Sequence, residues 1–499
     1  MTPVVRARPL GRPSIAIVGA GFGGIAAAVK LRKAGFDRIT VLERGRGVGG
    51  TWWHNTYPGA EVDTPSIIYS YSFMPWNWSR THVGQAELQE YIAAVADRFD
   101  ITPRIRFGVN VDRVEWNQDQ QEYAIISGGD EVARANYVIT AAGLLSDPRR
   151  PSWPGLDAFA GDVFHTAEWD HAAEIAGKRI AVVGTGSTAI QLVPEIAGIA
   201  EHVTVFQREP GWIVPKLGRD YTEAERQALD SPVAQRIVRL RMLLQRDRAL
   251  RGGAVYRPGT RQNIAAEAAA RRFINSALAD RPDLIELVTP KYPFFGKRPI
   301  VADGFYPALL RDNVTLVPHA VAEVTPCSVV DVLGGEHKAE VLVLSTGFKA
   351  AQFLSTIRVY GRGGNELHEI WGDEIRAFLG IMMPGFPNFF MIYGPNTNGG
   401  SIVSNAEIQS NYIVAAIRKA QWLRASSVEV RPRALEIFDS AVRRRLKGMA
   451  MDYGNNYYKS PSGRNTVMWP DMLMSYGALC ALTRGRAFWQ FESRTGRAR

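Results

Sequence analysis

Short, fully apolar runs alternate along the chain with longer amphipathic stretches, a pattern that predicts buried parallel strands connected by helices. The first unit comprises an apolar run at residues 15–18, a helical pattern at 25–34 and a second apolar run at 40–43. The glycine-rich segment 19–24 joins the first run to the helix, and the second run ends in Glu43. This order of strand, turn, helix and strand predicts a dinucleotide-binding βαβ unit.

The same plan returns in the middle of the chain. A strand is predicted at residues 179–183 and a helix at 190–197, with the G-x-G-x-x-A segment 184–189 between them. The strand predicted at 203–208 ends in Arg208 instead of an acidic residue. The fold class is therefore predicted to be α/β, with two dinucleotide-binding, Rossmann-like domains in one chain.

A helical insertion is predicted inside the second domain, at about residues 220–285. It contains two glycine-free helical windows, 223–250 and 262–279, and Pro232 is expected to break the first of them and start a new helix. The other predicted elements are apolar strands at 137–143 and 341–345, a proline-rich linker at 146–155 and a long helix at 407–423.

Composition limits the possible functions. The chain has 499 residues, 46% hydrophobic and 22% charged, which is typical of a folded protein of several domains. Its net charge of +10 is scattered along the sequence, which disfavours a nucleic-acid partner and favours an anionic cofactor or substrate. Cys327 and Cys480 form neither a CxxC pair nor a zinc-ligand spacing, so we expect a cytoplasmic location and no metal site. Residues 1–13 are predicted to be a loose tail, and no apolar run is long enough for a membrane span.

The glycines of the first unit have separate physical roles. Gly19 permits the tight turn, Gly21 allows the backbone to approach a pyrophosphate, and Gly24 allows the helix to pack on the strand. The helix N-terminus offers free N–H groups to the phosphates, and Glu43 can accept hydrogen bonds from both ribose hydroxyls. These features favour FAD, whose adenosine ribose carries no phosphate.

In the second unit, Arg208 replaces that carboxylate. A guanidinium can bind a 2′-phosphate in bidentate fashion, whereas a carboxylate would repel it, so this unit is predicted to bind NADPH. The neighbouring Glu209 complicates the prediction, because it could weaken phosphate binding or form a salt bridge with Arg208 itself.

Two segments resemble the fingerprints of the Baeyer–Villiger monooxygenases, a flavin-dependent class related to the flavin-containing monooxygenases. Residues 159–170 match F-x-G-x-x-x-H-x-x-x-W-[PD], and residues 49–63 match [AG]-G-x-W-x-x-x-x-[YF]-P-G-x-x-x-D. Both patterns match at every fixed position. The resemblance extends from Ile15 to about Trp469 and is weakest in the insertion and after Ala450.

The resemblance implies roles for particular residues. Lys297 corresponds to a lysine that assists NADPH binding, Arg298 to a catalytic arginine, and Asp63 to an active-site aspartate. His165 and Trp169 fall in a linker between the domains, where the family's histidine acts in domain motion and not in direct chemistry. A further residue, Trp469, resembles the ending of the shorter family members, and a core position and an active-site role both stay open for it.

The resemblance also implies a reaction. NADPH reduces FAD, the reduced flavin adds O₂ to give a C4a-peroxide, and the peroxide anion attacks a ketone carbonyl to give an ester or lactone. Arg298 is expected to favour that anion and to stabilise the later oxyanion, with Asp63 orienting the guanidinium. The predicted partners are therefore a small-molecule ketone and O₂, with the oligomeric state left open. The alternatives are a flavin-containing monooxygenase that oxygenates nitrogen or sulfur, and a flavoprotein oxidase or reductase.

The FAD-binding domain is predicted to be discontinuous, at residues 1–144 and 346–499, with the NADPH-binding domain at 145–345. The predicted catalytic residues are Arg298 and Asp63. The predicted cofactor-binding residues are Gly19, Gly21, Gly23, Gly24, Glu43, Thr51, Trp52, Asp63, Tyr69 and Val111 for FAD, and Gly184, Thr185, Gly186, Ser187, Thr188, Arg208, Lys297 and Arg298 for NADPH.

Overall fold

The computed structural model describes residues 12–453 and 456–493, and of residues 249–252 it describes the backbone alone. The predicted N-terminal tail therefore lies almost entirely outside the described residues. The core of the fold is a pair of parallel sheets. In spatial order, the first sheet consists of Phe389–Met391, Tyr137–Thr140, Ile15–Val18, Ile39–Glu43 and Ile105–Phe107. The second sheet consists of Val314–Val317, His202–Phe206, Arg179–Val183, Val341–Leu344 and Asp162–His165.

Smaller sheets and helices surround these two layers. The mixed and antiparallel sheets consist of Arg358–Tyr360 with Arg113–Asn117, Glu122–Ser127 and Asp130–Ala135; of Val321–Thr325 with Ser328–Asp331 and Glu336–Lys338; and of Ser427–Val430 with Trp489–Glu492. A short parallel pair joins Ile213–Val214 and Ile300–Val301. The α-helices are Phe22–Lys33, Thr51–His54, Gln85–Arg98, Ser187–Ile196, Glu223–Leu229, Pro232–Leu250, Arg261–Ala277, Pro282–Val288, Phe305–Leu309, Leu367–Trp371, Ile402–Trp422, Pro432–Leu446 and Leu473–Leu482. The short 3₁₀ helices are Thr102–Arg104, Leu156–Ala158, Thr166–Glu168, Arg251–Tyr256, Arg362–Gly364 and Ala450–Asp452.

Both predicted βαβ units are present, with shifts of a few residues at the element ends. Strand Ile15–Val18 is buried at every position, as an all-apolar run in a sheet covered on both faces should be. The first helix begins at Phe22, earlier than predicted, because Gly21 already adopts the extended N-cap conformation. The strand predicted to end at Arg208 ends at Phe206, so Arg208 lies in the loop beyond the sheet.

The chain passes between the two sheets twice, and the two connecting segments pair with each other. The N–H of Arg149 donates to the carbonyl of Gly347 over 2.8 Å, and the N–H of Lys349 donates to the carbonyl of Asp147 over 3.0 Å. The side chains of Lys349 and Asp147 form an ion pair at 3.2 Å. This paired crossing lies beside the domain boundaries at 144/145 and 345/346, which stay predictions.

The helical insertion packs across the molecule onto segments that flank the first sheet. Its helix Pro232–Leu250 starts at the proline, as predicted. The buried guanidinium of Arg239 donates to the carbonyl of Ile67 over 3.2 Å, and the carboxylate of Asp247 accepts the N–H of Leu473 over 3.3 Å. The insertion, which follows the second βαβ unit in sequence, is therefore anchored to segments that flank the first sheet. None of the described helices is long and apolar enough to span a membrane.

Candidate active site

The glycine turn of the first unit is shaped by close backbone contacts. Gly19 has a φ of +104°, and a Cβ there would lie 2.7 Å from the carbonyl oxygen of Ala141. A Cβ on Gly24 would lie 1.9 Å from the carbonyl oxygen of Gly19, so the helix can pack on the strand only with glycine at this position. Gly23 faces Ile392, whose Cγ2 would lie 3.0 Å from an added Cβ. The structure thus gives Gly23 a packing role, while Gly21 caps the helix that points at the predicted pyrophosphate site.

Glu43 fixes this turn from the end of the neighbouring strand. Its Oε2 accepts the N–H of Ala20 over 2.6 Å, and its Oε1 accepts the N–H of Gly45 over 2.7 Å. Each carboxylate oxygen has a second lone pair, which is the acceptor that a ribose hydroxyl requires. Val111, predicted to contact FAD, is buried next to this strand end, where the N–H of Val109 donates to the carbonyl of Glu43.

The segment 49–52 closes over the same turn. Gly49 forms a bridge with Gly21, and Thr51 begins a short helix with its side chain exposed. Trp52 is buried and donates its indole N–H to the hydroxyl of Tyr69 over 2.9 Å. The predicted FAD contacts Gly21, Thr51, Trp52 and Tyr69 therefore lie in one continuous region of the structure.

The second glycine turn forms a matching cradle. Gly184 has a φ of +117°, and a Cβ there would lie 2.4 Å from the carbonyl oxygen of Ser345. Gly186 caps helix Ser187–Ile196, and apart from Gly186 and its immediate chain neighbours no heavy atom of the described residues lies within 4 Å of the position that its Cβ would occupy. The backbone is thus open to a ligand at the helix N-terminus, next to Thr185, Ser187 and Thr188, which fits a bound pyrophosphate.

The segment after Trp52 brings the two cradles together. The hydroxyl of Tyr57 donates to Oε1 of Gln191, in the helix of the second cradle, over 2.7 Å. A Cβ on Gly59 would lie 2.6 Å from the carbonyl oxygen of Gln191, so glycine permits this close approach. Glu61 also forms an ion pair with the buried Lys216. These contacts hold Asp63, a few residues further on, between the two dinucleotide units.

Arg298 and Asp63 meet at this place. An Nη2 hydrogen of Arg298 is donated to Oδ2 of Asp63 over 2.5 Å, although the residues are 235 positions apart in sequence. The hydroxyl of Thr64 donates to the other oxygen, Oδ1, over 3.2 Å. The side chain of Arg298 is 41% exposed and that of Asp63 is 25% exposed. The guanidinium therefore has donors and surface left for a ligand after pairing with the carboxylate.

The electrostatics keep both groups charged. Burial by itself would raise the pKa of Asp63, but the positive charges of Arg298 and Arg246 hold it below its ordinary value. The charge of Asp63 raises the pKa of Arg298 above its ordinary value, against the effect of burial. The site accordingly presents a permanent cation in a fixed orientation.

Arg246 is a functional candidate that the sequence reasoning missed. It projects from the insertion helix, one residue before the anchored Asp247, and the charges of Arg298 and Asp63 both act on its pKa, which burial lowers. No described carboxylate forms an ion pair with it. The sequence feature that could have identified Arg246 is the high density of arginines along residues 236–251. Arg246 follows the buried Arg239 by seven residues, which is two helical turns, so both lie on the same face of the helix.

Three tyrosines, at positions 393, 457 and 458, are influenced by the charge of Arg298. Tyr393 has a φ of +60°, an uncommon conformation for an aromatic residue, and its hydroxyl donates to Oδ1 of Asn398 over 2.5 Å. The hydroxyl of Tyr457 donates to that of Tyr458 over 2.9 Å. Arg298 acts on the pKa of each of these three tyrosines, which burial raises. Sequence reasoning had no local signal for them.

Lys297 and Arg208 are arranged differently from each other. The ammonium group of Lys297 forms an ion pair with Glu209. The salt bridge between Glu209 and Arg208, one of the two possibilities considered from the sequence, is therefore not formed. Arg208 is exposed, and it has no ion pair or hydrogen bond with any described residue. It is thus available to an anionic ligand.

His165 and Trp469 lie in packed positions. His165 is fully buried, its Nδ1 accepts the N–H of Ala167 over 3.1 Å, and its Nε2 lies 3.2 Å from the carbonyl of Gly347, to which it donates. It therefore links a strand end to the second crossing segment. The ring of Trp469 is 5% exposed and stacks on Phe438, which places it in the core. Trp169 packs edge-on against Phe164. Among the described residues no group of acidic, histidine and cysteine side chains could hold a metal ion.

Known proteins are similar to this chain over much of its length. Residues 16–223 match the family described as "Pyridine nucleotide-disulphide oxidoreductase". A Baeyer–Villiger monooxygenase of Streptomyces coelicolor is 38% identical over 91% of this chain and 88% of its own. An FAD-binding monooxygenase of Aspergillus niger is 33% identical over 93% of this chain and 79% of its own.

Solved structures resemble the whole fold. Cyclohexanone monooxygenase from Rhodococcus sp. Phi1, bound to NADP⁺, superposes with a TM-score of 0.86 at 30% identity, covering 96% of this chain and 99% of its own. An oxidised steroid monooxygenase bound to NADP superposes equally well, with a TM-score of 0.86 at 29% identity, covering 96% of this chain and 99% of its own.

The two cysteines of this chain are both free thiols, one exposed and one buried.

Proposed function

This chain belongs to the Baeyer–Villiger monooxygenases, FAD- and NADPH-dependent enzymes, and we propose that it inserts one oxygen atom of O₂ next to a ketone carbonyl to give an ester or lactone. The observation that carries the proposal is the Arg298–Asp63 pair, which joins a segment of the second dinucleotide unit to a segment of the first at 2.5 Å. Active sites of two-cofactor proteins lie between the domains that hold the cofactors.

Each cofactor has a cradle that suits it. FAD would be held by the turn at Gly19 and Gly21, by Glu43 and by the segment that includes Trp52. NADPH would be held by the turn at Gly184 and by Arg208, whose free guanidinium suits a 2′-phosphate. When both cofactors are bound, NADPH would supply the two electrons and the flavin would pass them to O₂ and activate it. The C4a-peroxyflavin route implied by the family resemblance stays a prediction.

The protein's own contribution is a fixed cation, a second positive charge and a buried tyrosine. Arg298 is oriented by Asp63, so its remaining N–H groups can bind the oxyanion that develops when a ketone carbonyl is attacked. Arg246 adds a second positive charge from the insertion. Of the tyrosines whose pKa values Arg298 influences, Tyr458 is buried, and it would help to limit the access of water, which would otherwise divert the oxygen to H₂O₂.

The substrate class is proposed as a ketone. A cyclohexanone monooxygenase described as ε-caprolactone-bound superposes on 96% of this chain with a TM-score of 0.85 at 29% identity. Oxygenation of nitrogen or sulfur is the alternative, and it has no need of a cation beside the oxidant. A cytoplasmic location and the absence of a nucleic-acid partner also stay predictions.

Product analysis tests the proposal. The holoenzyme is incubated with NADPH, O₂ and a panel of cyclic and linear ketones and organic sulfides, and the products are identified by mass spectrometry. We expect ¹⁸O₂ to label the ester or lactone with one ¹⁸O atom. Sulfoxides alone would favour the alternative, and H₂O₂ alone across the panel would refute an oxygenating role.

A further inference from the structure

Glu209 follows Arg208, the arginine predicted to bind the coenzyme 2′-phosphate, and it pairs with Lys297, which the family resemblance assigns to NADPH binding. Its carboxylate pairs with the ammonium group of Lys297, and the pair leaves the Glu209 side chain 49% and the Lys297 side chain 25% exposed. The Lys297 ammonium also lies 5.2 Å from the ring centroid of Tyr292. The hydroxyl of Tyr292 donates to the carbonyl of Pro210 over 2.9 Å, which ties the segment that carries Lys297 to the loop that carries Glu209.

The two cations next to Glu209, Arg208 in sequence and Lys297 in space, are therefore in different states. Arg208 has no ion-pair partner in the described part of the chain, whereas the charge of Lys297 is already neutralised by Glu209. A 2′-phosphate that recruits Lys297 has to displace a carboxylate and accept a negative charge nearby. A coenzyme with a 2′-hydroxyl meets no such barrier, because a carboxylate accepts a hydrogen bond from that hydroxyl.

We propose that Glu209 sets the coenzyme preference of this enzyme: by holding Lys297 in an ion pair it weakens the binding of the 2′-phosphate and so narrows the discrimination of NADPH against NADH. The proposal rests on the NADPH site of the proposed function, and it concerns how Glu209 acts through Lys297. Glu209 is thus a specificity-determining residue for the adenosine end of the coenzyme.

The expected effect is moderate. Exposed ion pairs are weak, since water and salt screen both charges. Releasing Lys297 should tighten binding of a 2′-phosphate by about three- to tenfold, and it should leave a ligand with a 2′-hydroxyl unchanged or bound slightly more weakly.

Calorimetric binding to the holoenzyme tests this without catalysis. The probes are 2′,5′-ADP, which carries the 2′-phosphate, and 5′-ADP, which does not. Glu209→Gln removes the charge at constant size, and Glu209→Thr removes the carboxylate altogether. The matched control is Glu201→Gln, an exposed carboxylate just before the same strand, for which we expect unchanged affinity for both probes.

Lys297 provides the decisive comparison. If Glu209 acts through Lys297, the gain in 2′,5′-ADP affinity on Glu209→Gln should disappear when Lys297 is already methionine. A gain that persists in the Lys297→Met background overturns the proposal, as does an equal gain for both probes or no gain in either Glu209 variant. Stopped-flow reduction of the flavin should show the same shift in the ratio of NADPH to NADH affinity. Neither readout requires a ketone. The proposal about Glu209 can therefore be refuted while the enzyme still forms esters, and it can be confirmed in an enzyme that forms none.

Discussion

Replacing Arg298 with alanine is the sharpest test of the active site. The substitution removes the cation that Asp63 holds at 2.5 Å. Because 41% of the arginine side chain is exposed, truncation leaves little buried cavity, and we expect a folded protein. The FAD cradle, formed by the first glycine turn and Glu43, lies on other segments, so the flavin content should stay unchanged.

The magnitude follows from what the guanidinium supplies. Removing one preorganised donor to a developing oxyanion lowers kcat by about 10²–10³. We expect at least the upper end for Arg298, because its hydrogen bonds carry a full charge. Burial raises the pKa of Asp63, and the positive charge of Arg298 is the largest effect that lowers it. Without Arg298, the pKa of Asp63 should therefore rise.

The assay measures ester formed, NADPH consumed and H₂O₂ released by the same sample. In Arg298→Ala we expect ester formation to be almost lost while the oxidised NADPH appears as H₂O₂. Arg298→Lys should restore only a minor part, since an ammonium lacks the planar fork that pairs with the carboxylate. The matched control is Arg272→Ala, because Arg272 is an exposed arginine of the insertion that forms no ion pair with any described residue.

A second substitution separates direct action from positioning. If Asp63 acts by orienting Arg298, then Asp63→Ala combined with Arg298→Ala should be no slower than Arg298→Ala alone. Ester kcat in Arg298→Ala within about threefold of the parent, at unchanged FAD content, would refute the assignment of Arg298.

Three further outcomes are expected. Arg208→Ala should raise the KM for NADPH about ten- to a hundredfold through loss of a charge-assisted phosphate contact, with little change for NADH; equal effects would remove Arg208 from the phosphate site. Glu43→Gln should release flavin, because its amide presents a donor where Ala20 or Gly45 needs an acceptor, and chromatography of the flavin from the parent protein should give FAD and not FMN. Burial, and after it the charge of Lys216, lowers the pKa of His82 in the folded protein to about 4. Between the ordinary histidine pKa of the unfolded chain and pH 4, the His82 imidazole is therefore protonated mainly in the unfolded state. Stability should therefore fall as pH falls through this window, by up to about 1.4 kcal/mol per pH unit, and melting temperatures at pH 7 and pH 5 should differ less in His82→Gln.

The sequence by itself determined the two dinucleotide units, because their physics is local. A strand buried on both faces must be apolar throughout, and the turns after Val18 and Val183 need glycine, whatever the rest of the chain does. The break at Pro232 is equally local, since proline starts a helix more readily than it continues one. The motif at 49–63 further pointed to Asp63 through its resemblance to a family, which no periodicity could do.

The tertiary structure alone decided which charges meet. Arg298 reaches Asp63 and Lys297 reaches Glu209 across 235 and 88 positions of sequence, and no local pattern encodes contacts at such separations. The same holds for Arg246, which the sequence shows as one of many arginines on a helix. It becomes part of the site only because Arg239 and Asp247 anchor that helix against segments flanking the first sheet. Hydrophobic periodicity records which face of an element is buried, but the partner of a buried charge depends on how the elements pack, and that is fixed by the assembled core.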